Sequence, residues 1–108
     1  TVNFDFDSAK LRDDSKGLLV NLSSALTDPR LATFRFQVEG HTDAKGTAQY
    51  NDQLSARRAQ AVVNFLSEKG VEASKLQPVG KGSKELLTPT EPLASQNRRV
   101  RVITLGQP

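Results

Sequence analysis

Apolar and polar residues alternate at the head of the chain. Val2, Phe4 and Phe6 are interleaved with Asn3, Asp5 and Asp7, the period of a half-buried strand. A helix is predicted next, capped by Asp13 or Asp14, striped by Leu18, Leu19, Leu22, Ala25 and Leu26, and stopped at Asp28-Pro29. FRFQVEG reads as the second strand, with Phe34, Phe36 and Val38 facing one way and Arg35, Gln37 and Glu39 on a solvated face. After a loop through Asp43, Lys45 and Gly46, Thr47 caps a long helix that Gly70 ends in a left-handed conformation. A turn over residues 72–75 leads to a third strand, LQPVGKG, whose Pro78 points to a sheet edge or an irregularity. Residues 83–96, with Pro89 and Pro92, form a surface loop before the last strand, NRRVRVITL. There Val100 and Val102 share one face, and Arg99 and Arg101 the other.

This order predicts an α+β fold, a two-layer β-α-β-α-β-β sandwich with a mixed sheet and both helices packed on one face. Right-handed crossovers make the first strand pairings parallel. The uncovered face is expected to carry Asp5, Arg35, Glu39 and Arg101, which can pair across strands.

One residue breaks the pattern of the long helix. Leu54, Ala59, Val62, Phe65 and Leu66 fall in one sector, opposite Arg57, Gln60, Asn64 and Glu68, yet Arg58 lies inside the apolar sector. A guanidinium there is costly unless a partner meets it. Asp43, in the preceding loop, can reach it if that loop folds back across the helix. The pair then reads in two ways. It is a buried salt bridge that fastens the loop, or two opposite charges lining one pocket, complementary to the zwitterionic head of an α-amino acid.

Composition narrows the alternatives. A chain of 108 residues forms one domain with a single core. The strand-like opening TVNFDFD leads us to expect that domain, 1–108, to be excised from a longer outer-membrane or periplasmic protein, so that any membrane attachment lies in its missing parts. Cysteine is absent, so disulfides and thiolate metal sites are excluded. The net charge of +3 favours an anionic partner but falls short of a nucleic-acid signature, and one Tyr with five Phe offers no stacking platform for bases. Neither a metal nor a cofactor is called for: His41 and Asp43 form an H-x-D pair with no second His, and no nucleophile elbow accompanies the single His. His41 at a strand end is expected to be structural. Gly80 and Gly82 are too closely spaced to cradle a phosphate, and of the adjacent Arg98 and Arg99 one is solvated and one useful.

Four segments, in order, resemble the OmpA-like peptidoglycan-binding domain, found also in Pal-type lipoproteins and flagellar-stator proteins. They are FDFDSAKL, the turn Gly40-His41-Thr42-Asp43, the helix pattern Asn51-x-x-Leu54-Ser55-x-x-Arg58-Ala59, and Asn97-Arg98-Arg99-Val100. The resemblance implies a non-catalytic module at the periplasmic side of a Gram-negative outer membrane, bound non-covalently to peptidoglycan. It implies further that Asp43 takes the ammonium and Arg58 the carboxylate of the meso-diaminopimelate side chain in the stem peptide. Thr42, Asn51, Leu54 and Arg99 are then expected to line or order the pocket, with Phe6 and Asp7 at its rim. The segment from Lys84 to Gln96 departs from the family pattern: it is short and lacks a Gly-Arg ahead of Asn97.

Overall fold

Two glycines let the long helix lie directly on the sheet. The computed structural model describes residues 2–106; Thr1, Gln107 and Pro108 of the expected domain span lie outside the described residues. Its elements are β1 (Val2–Asn3), α1 (Asp13–Leu26), β2 (Arg35–Gly40), α2 (Ala48–Glu68), β3 (Leu76–Gly80) and β4 (Arg99–Gly106), with three short 3₁₀ turns between them. The β-α-β-α-β-β order and the α+β class are as expected. α2 crosses β2 and β3, where a Cβ on Gly40 would collide with the Ser55 carbonyl and one on Gly80 would stand 2.8 Å from Ala56 N. At both contacts backbone meets backbone, which only glycine allows.

The sheet runs β1-β4-β2-β3. β2 and β3 are parallel, as a right-handed crossover requires, but the expected parallel pairing of β1 with β2 does not form. β4 lies between them and is antiparallel to both. The α1 crossover therefore skips one strand position, and the last strand, apolar at Val100 and Val102, fills it. Pro78, opposite Val38, sits on the edge strand, where a missing N–H costs no ladder bond.

Several local expectations are corrected. β1 ends at Asn3; Phe4 is buried and donates its N–H to Arg98 O at 2.8 Å, but Asp7 adopts φ 56° and Phe6 turns out to 53% exposure. α1 is preceded by Arg12, whose side chain caps nothing, and Asp13 and Asp14 occupy the first turn, where the helix dipole favours them. The buried face of α1 is Ser15, Leu19, Ser23 and Leu26, one turn apart; Leu18 is 58% exposed. The polar face of β2 is not solvated throughout, for Glu39 is buried at the centre of the sheet. It meets Arg101 in register and pairs with it at 3.2 Å, whereas Asp5 lies off the sheet and pairs with Arg12 at 3.5 Å.

Thr47 caps α2, its hydroxyl accepting from Tyr50 N–H at 3.1 Å, and Gly70, at φ 103°, ends it. Ala59, Val62, Val63 and Leu66 pack with Phe36 and Val38 of β2, Val100 of β4 and Leu19 and Leu26 of α1. The 83–96 loop is ordered by the fully buried Asn97. Its side-chain oxygen accepts from Thr88 N–H at 3.0 Å, and its amide donates to Glu91 O at 3.0 Å and Pro92 O at 3.3 Å. Among the described residues no helix is long and apolar enough to cross a membrane.

The helix–sheet contact predicts opposite outcomes for two glycine substitutions. Gly40→Ala should cost about 3 kcal/mol or more, because the Ser55 backbone it strikes cannot give way. Gly17→Ala, in mid-helix with nothing near the new methyl, should stabilise by about 0.5–1 kcal/mol. Urea denaturation of the two variants against wild type measures both.

Candidate functional site

The partners of Arg58 are backbone carbonyls. Its Nε donates to Ser8 O at 2.8 Å, Nη1 to His41 O at 3.0 Å and Nη2 to Asp5 O at 3.0 Å. The side chain is fully buried, with its guanidinium carbon 5.3 Å from the centre of the Phe4 ring. A guanidinium has five N–H donors. Three are spent on chain segments 50, 17 and 53 residues distant, and one remains on each terminal nitrogen. Burial lowers the Arg58 pKa to about 10, Arg98 adds to the depression, and Asp43 and Asp7 oppose it. The group is cationic at neutral pH.

Asp43 does not form the salt bridge with Arg58 that the sequence leaves open. Its Oδ1 accepts from Lys45 N–H at 3.0 Å, closing an Asx turn, and its Oδ2 pairs with Arg98 Nη1 at 3.3 Å. Arg98 is held in turn by its Nε donating to Phe4 O at 3.0 Å. Asp43, Arg58 and Arg98 all line one pocket of about 420 Å³ between the start of α2, the loop after β2 and the turn after β1.

Of the residues expected there, Thr42, Asn51 and Leu54 line this pocket from buried positions, and Phe6 and Asp7 line it from the exposed turn. The Asp7 carboxylate accepts from Tyr50 O–H, and Lys45 Nζ lies 4.9 Å from the Phe6 ring centre. Arg99 is the exception. It projects from the opposite face of β4, 94% buried, and donates to Asn97 O and Glu85 O at 3.4 and 3.1 Å. The residue missed is Arg98, and neither arginine is solvated. Strand parity carried the signal: Val100 belongs to the helix-side core, so Arg98, two residues away, shares its face and Arg99 does not. Lys45, Gly46, Thr47 and Tyr50 also line the pocket.

On the far side of the sheet, His41 Nε2 lies 3.3 Å from Glu39 Oε1, and the buried Nδ1 has no partner. One ring nitrogen and one carboxylate oxygen each from Glu39 and Glu85 fall within 4.8 Å of one another. The donor set fits a cation poorly. Both Glu39 oxygens are engaged, by Gln37, His41 and Arg101, and Arg99 adds a second positive charge beside His41. The cluster instead fastens the end of β2 from beneath, as His41 N–H donates to Arg99 O at 2.8 Å while its own carbonyl holds Arg58.

A mixed-sheet α+β domain with a cleft of opposed charges at the head of its long helix defines the class. The chain belongs to the OmpA family, whose model matches residues 3–100. It is 37% identical over 105 residues to the peptidoglycan-associated lipoprotein of Agrobacterium fabrum, covering 95% of this chain and 58% of that one. It is 43% identical over 83 residues to outer membrane porin F of Pseudomonas aeruginosa, covering 75% of this chain and 23% of the porin. The chain thus spans little more than half of the first relative and a quarter of the second. The crystal structure of the peptidoglycan-associated lipoprotein from Burkholderia pseudomallei superposes with a TM-score of 0.85 at 32% identity, over 95% of this chain and 87% of that one.

Two predictions concern stability. Arg58→Ala strands one buried and two part-buried carbonyls and should cost about 3 kcal/mol or more, with Arg58→Lys recovering only part, read as denaturant midpoints. The second is a pH dependence. Burial, reinforced by Arg99, holds the His41 pKa below its ordinary 6.5 despite Glu39 and Glu85. The unfolded chain therefore binds the proton first, and stability present above pH 6.5 is lost as pH falls through the lower folded value. For Glu39, burial alone raises the pKa, but hydrogen bonds from His41, Arg101 and Gln37 outweigh it and hold the carboxyl below 4.5. Its contribution is lost at still lower pH, in the same direction. Midpoints should fall from pH 7 to pH 5, and His41→Asn should flatten that fall; a rise on acidification contradicts the assignment.

Proposed function

We propose that this domain binds cell-wall peptidoglycan non-covalently through the meso-diaminopimelate of the stem peptide, without catalysis. It would thereby anchor the outer membrane or an envelope complex to the wall, from the periplasmic side of a Gram-negative outer membrane. The observation that carries the reading is the placement of Asp43, Arg58 and Arg98 in one sheltered pocket. The free end of diaminopimelate presents an ammonium and a carboxylate on one carbon. The carboxylate of Asp43 has lone pairs beyond those taken by Lys45 N–H and Arg98, and these accept the ammonium. The ligand carboxylate takes the unspent N–H groups of Arg58, with Arg98 beside them. Because the carbonyls of Asp5, Ser8 and His41 already fix the guanidinium, little side-chain entropy remains to be lost on binding. The lipoprotein relatives are named as peptidoglycan-associated, which supports the wall as the partner.

One head group held this way gives modest affinity, and many copies facing a polymeric wall gain avidity from effective concentration. The test is calorimetric titration with a diaminopimelate-containing stem tetrapeptide. Asp43→Asn is the informative variant, since truncating Arg58 threatens the fold itself. It should stay folded and bind about tenfold to a hundredfold more weakly, the worth of a charge-assisted hydrogen bond. Between 50 and 200 mM salt, wild-type affinity should change by less than about threefold, because the recognised head group is zwitterionic. Undiminished binding by Asp43→Asn, or a steep salt dependence, overturns the pocket assignment.

A further inference from the structure

The formal charges lining the pocket do not balance. Lys45, Arg58 and Arg98 are cations, Asp7 and Asp43 are anions, and three against two leaves one positive charge. Arg98 is paired with Asp43 at 3.3 Å, and Arg58 is fixed by backbone carbonyls. With Arg58 engaging the head-group carboxylate on the reading above, Lys45 is the cation left without an anion. Among the described residues no carboxylate lies within 4.0 Å of its Nζ, which stands 4.9 Å from the Phe6 ring centre. Phe6 is 53% exposed, so this cation is at the rim rather than in the depth of the pocket. Its position there is set by its own backbone, because Lys45 N–H donates to Asp43 Oδ1 at 3.0 Å. The side chain starts beside the Asp43 carboxylate and reaches the exposed Phe6 ring at the rim.

A zwitterionic head group carries no net charge and leaves the excess where it was. We infer that Lys45 is a specificity-determining residue that pairs with a second carboxylate on the same ligand, outside the head-group pocket. The inference rests on the stem-peptide reading given above. In a stem peptide the diaminopimelate amino group is acylated by the γ-carboxyl of glutamate, whose α-carboxyl is then either free or amidated. The free form supplies the missing negative charge beyond the head group, and amidation removes it. The domain therefore discriminates between walls by the state of a group that Asp43 and Arg58 never touch.

Two tetrapeptides that differ only in that α-carboxyl, free or amidated, test this against wild type and Lys45→Met at low salt. Methionine keeps an apolar stem over Phe6 and removes the charge. Lys45 is exposed and its side chain holds no structural hydrogen bond among the described residues, so the variant should fold, as a thermal melt will verify. Wild type should bind the free form about threefold more tightly than the amidated form, as expected of a part-exposed ion pair. Lys45→Met should bind both alike, at the affinity of wild type for the amidated peptide. If wild type binds both forms equally, or Lys45→Met still discriminates, the Lys45 assignment is wrong and the head-group reading stands. If wild type binds neither, both fall together.

Discussion

A buried guanidinium organises this domain. Arg58 lies on the face of α2 that packs into the fold, where an unpaired charge would be expelled, and three main-chain carbonyls from two distant segments make it tolerable. Those carbonyls gain equally, since the turn after β1 has no strand partner to take them. One side chain therefore closes the 5–8 turn, the end of β2 and the middle of α2 into a single unit. The cleft is the space left where these three meet.

This arrangement separates two tasks that a simple Asp–Arg salt bridge would merge. If Asp43 and Arg58 satisfied each other, a zwitterion would have to break the pair to enter. Here the cation is held by neutral dipoles and the anion by a backbone N–H and a second arginine, so both charges keep unspent hydrogen-bonding capacity. The cost is desolvation of the guanidinium, visible in its depressed pKa. On the reverse of the sheet, Glu39, His41, Arg99 and Arg101 form a second polar group whose backbone is shared with the first at His41. The pocket thus rests on a buried polar layer rather than on the apolar core alone.

Periodicity made much of this legible. The alternation of β2 placed Phe36 and Val38, Thr47 and Gly70 marked the ends of α2, and Pro78 marked an edge. Local rules failed where the chain makes non-local contacts. Phe6 alternates with Phe4 and yet points outward, because Asp7 enters the left-handed region and the turn is pulled toward Arg58. Leu18 looked like core because a leucine pair cannot by itself reveal which member faces inward. The family pattern points to Arg99, whereas the parity of Val100 on β4 puts Arg98 on the pocket side.

The sequence by itself determined the element order, the class of fold, the charged residue stranded on an apolar helix face and the family. These depend on spacing within single segments, which hydrophobic periodicity and turn chemistry record. Only the tertiary structure decided that β4 would enter between β1 and β2, that backbone carbonyls and not Asp43 would take the hydrogen bonds of Arg58, and that Arg98 would hold Asp43. Those outcomes depend on contacts between residues 17 to 98 positions apart, such as Arg58 with His41 and Val2 with Val100, and no local pattern encodes which of several chemically equivalent partners will be nearest when the chain closes.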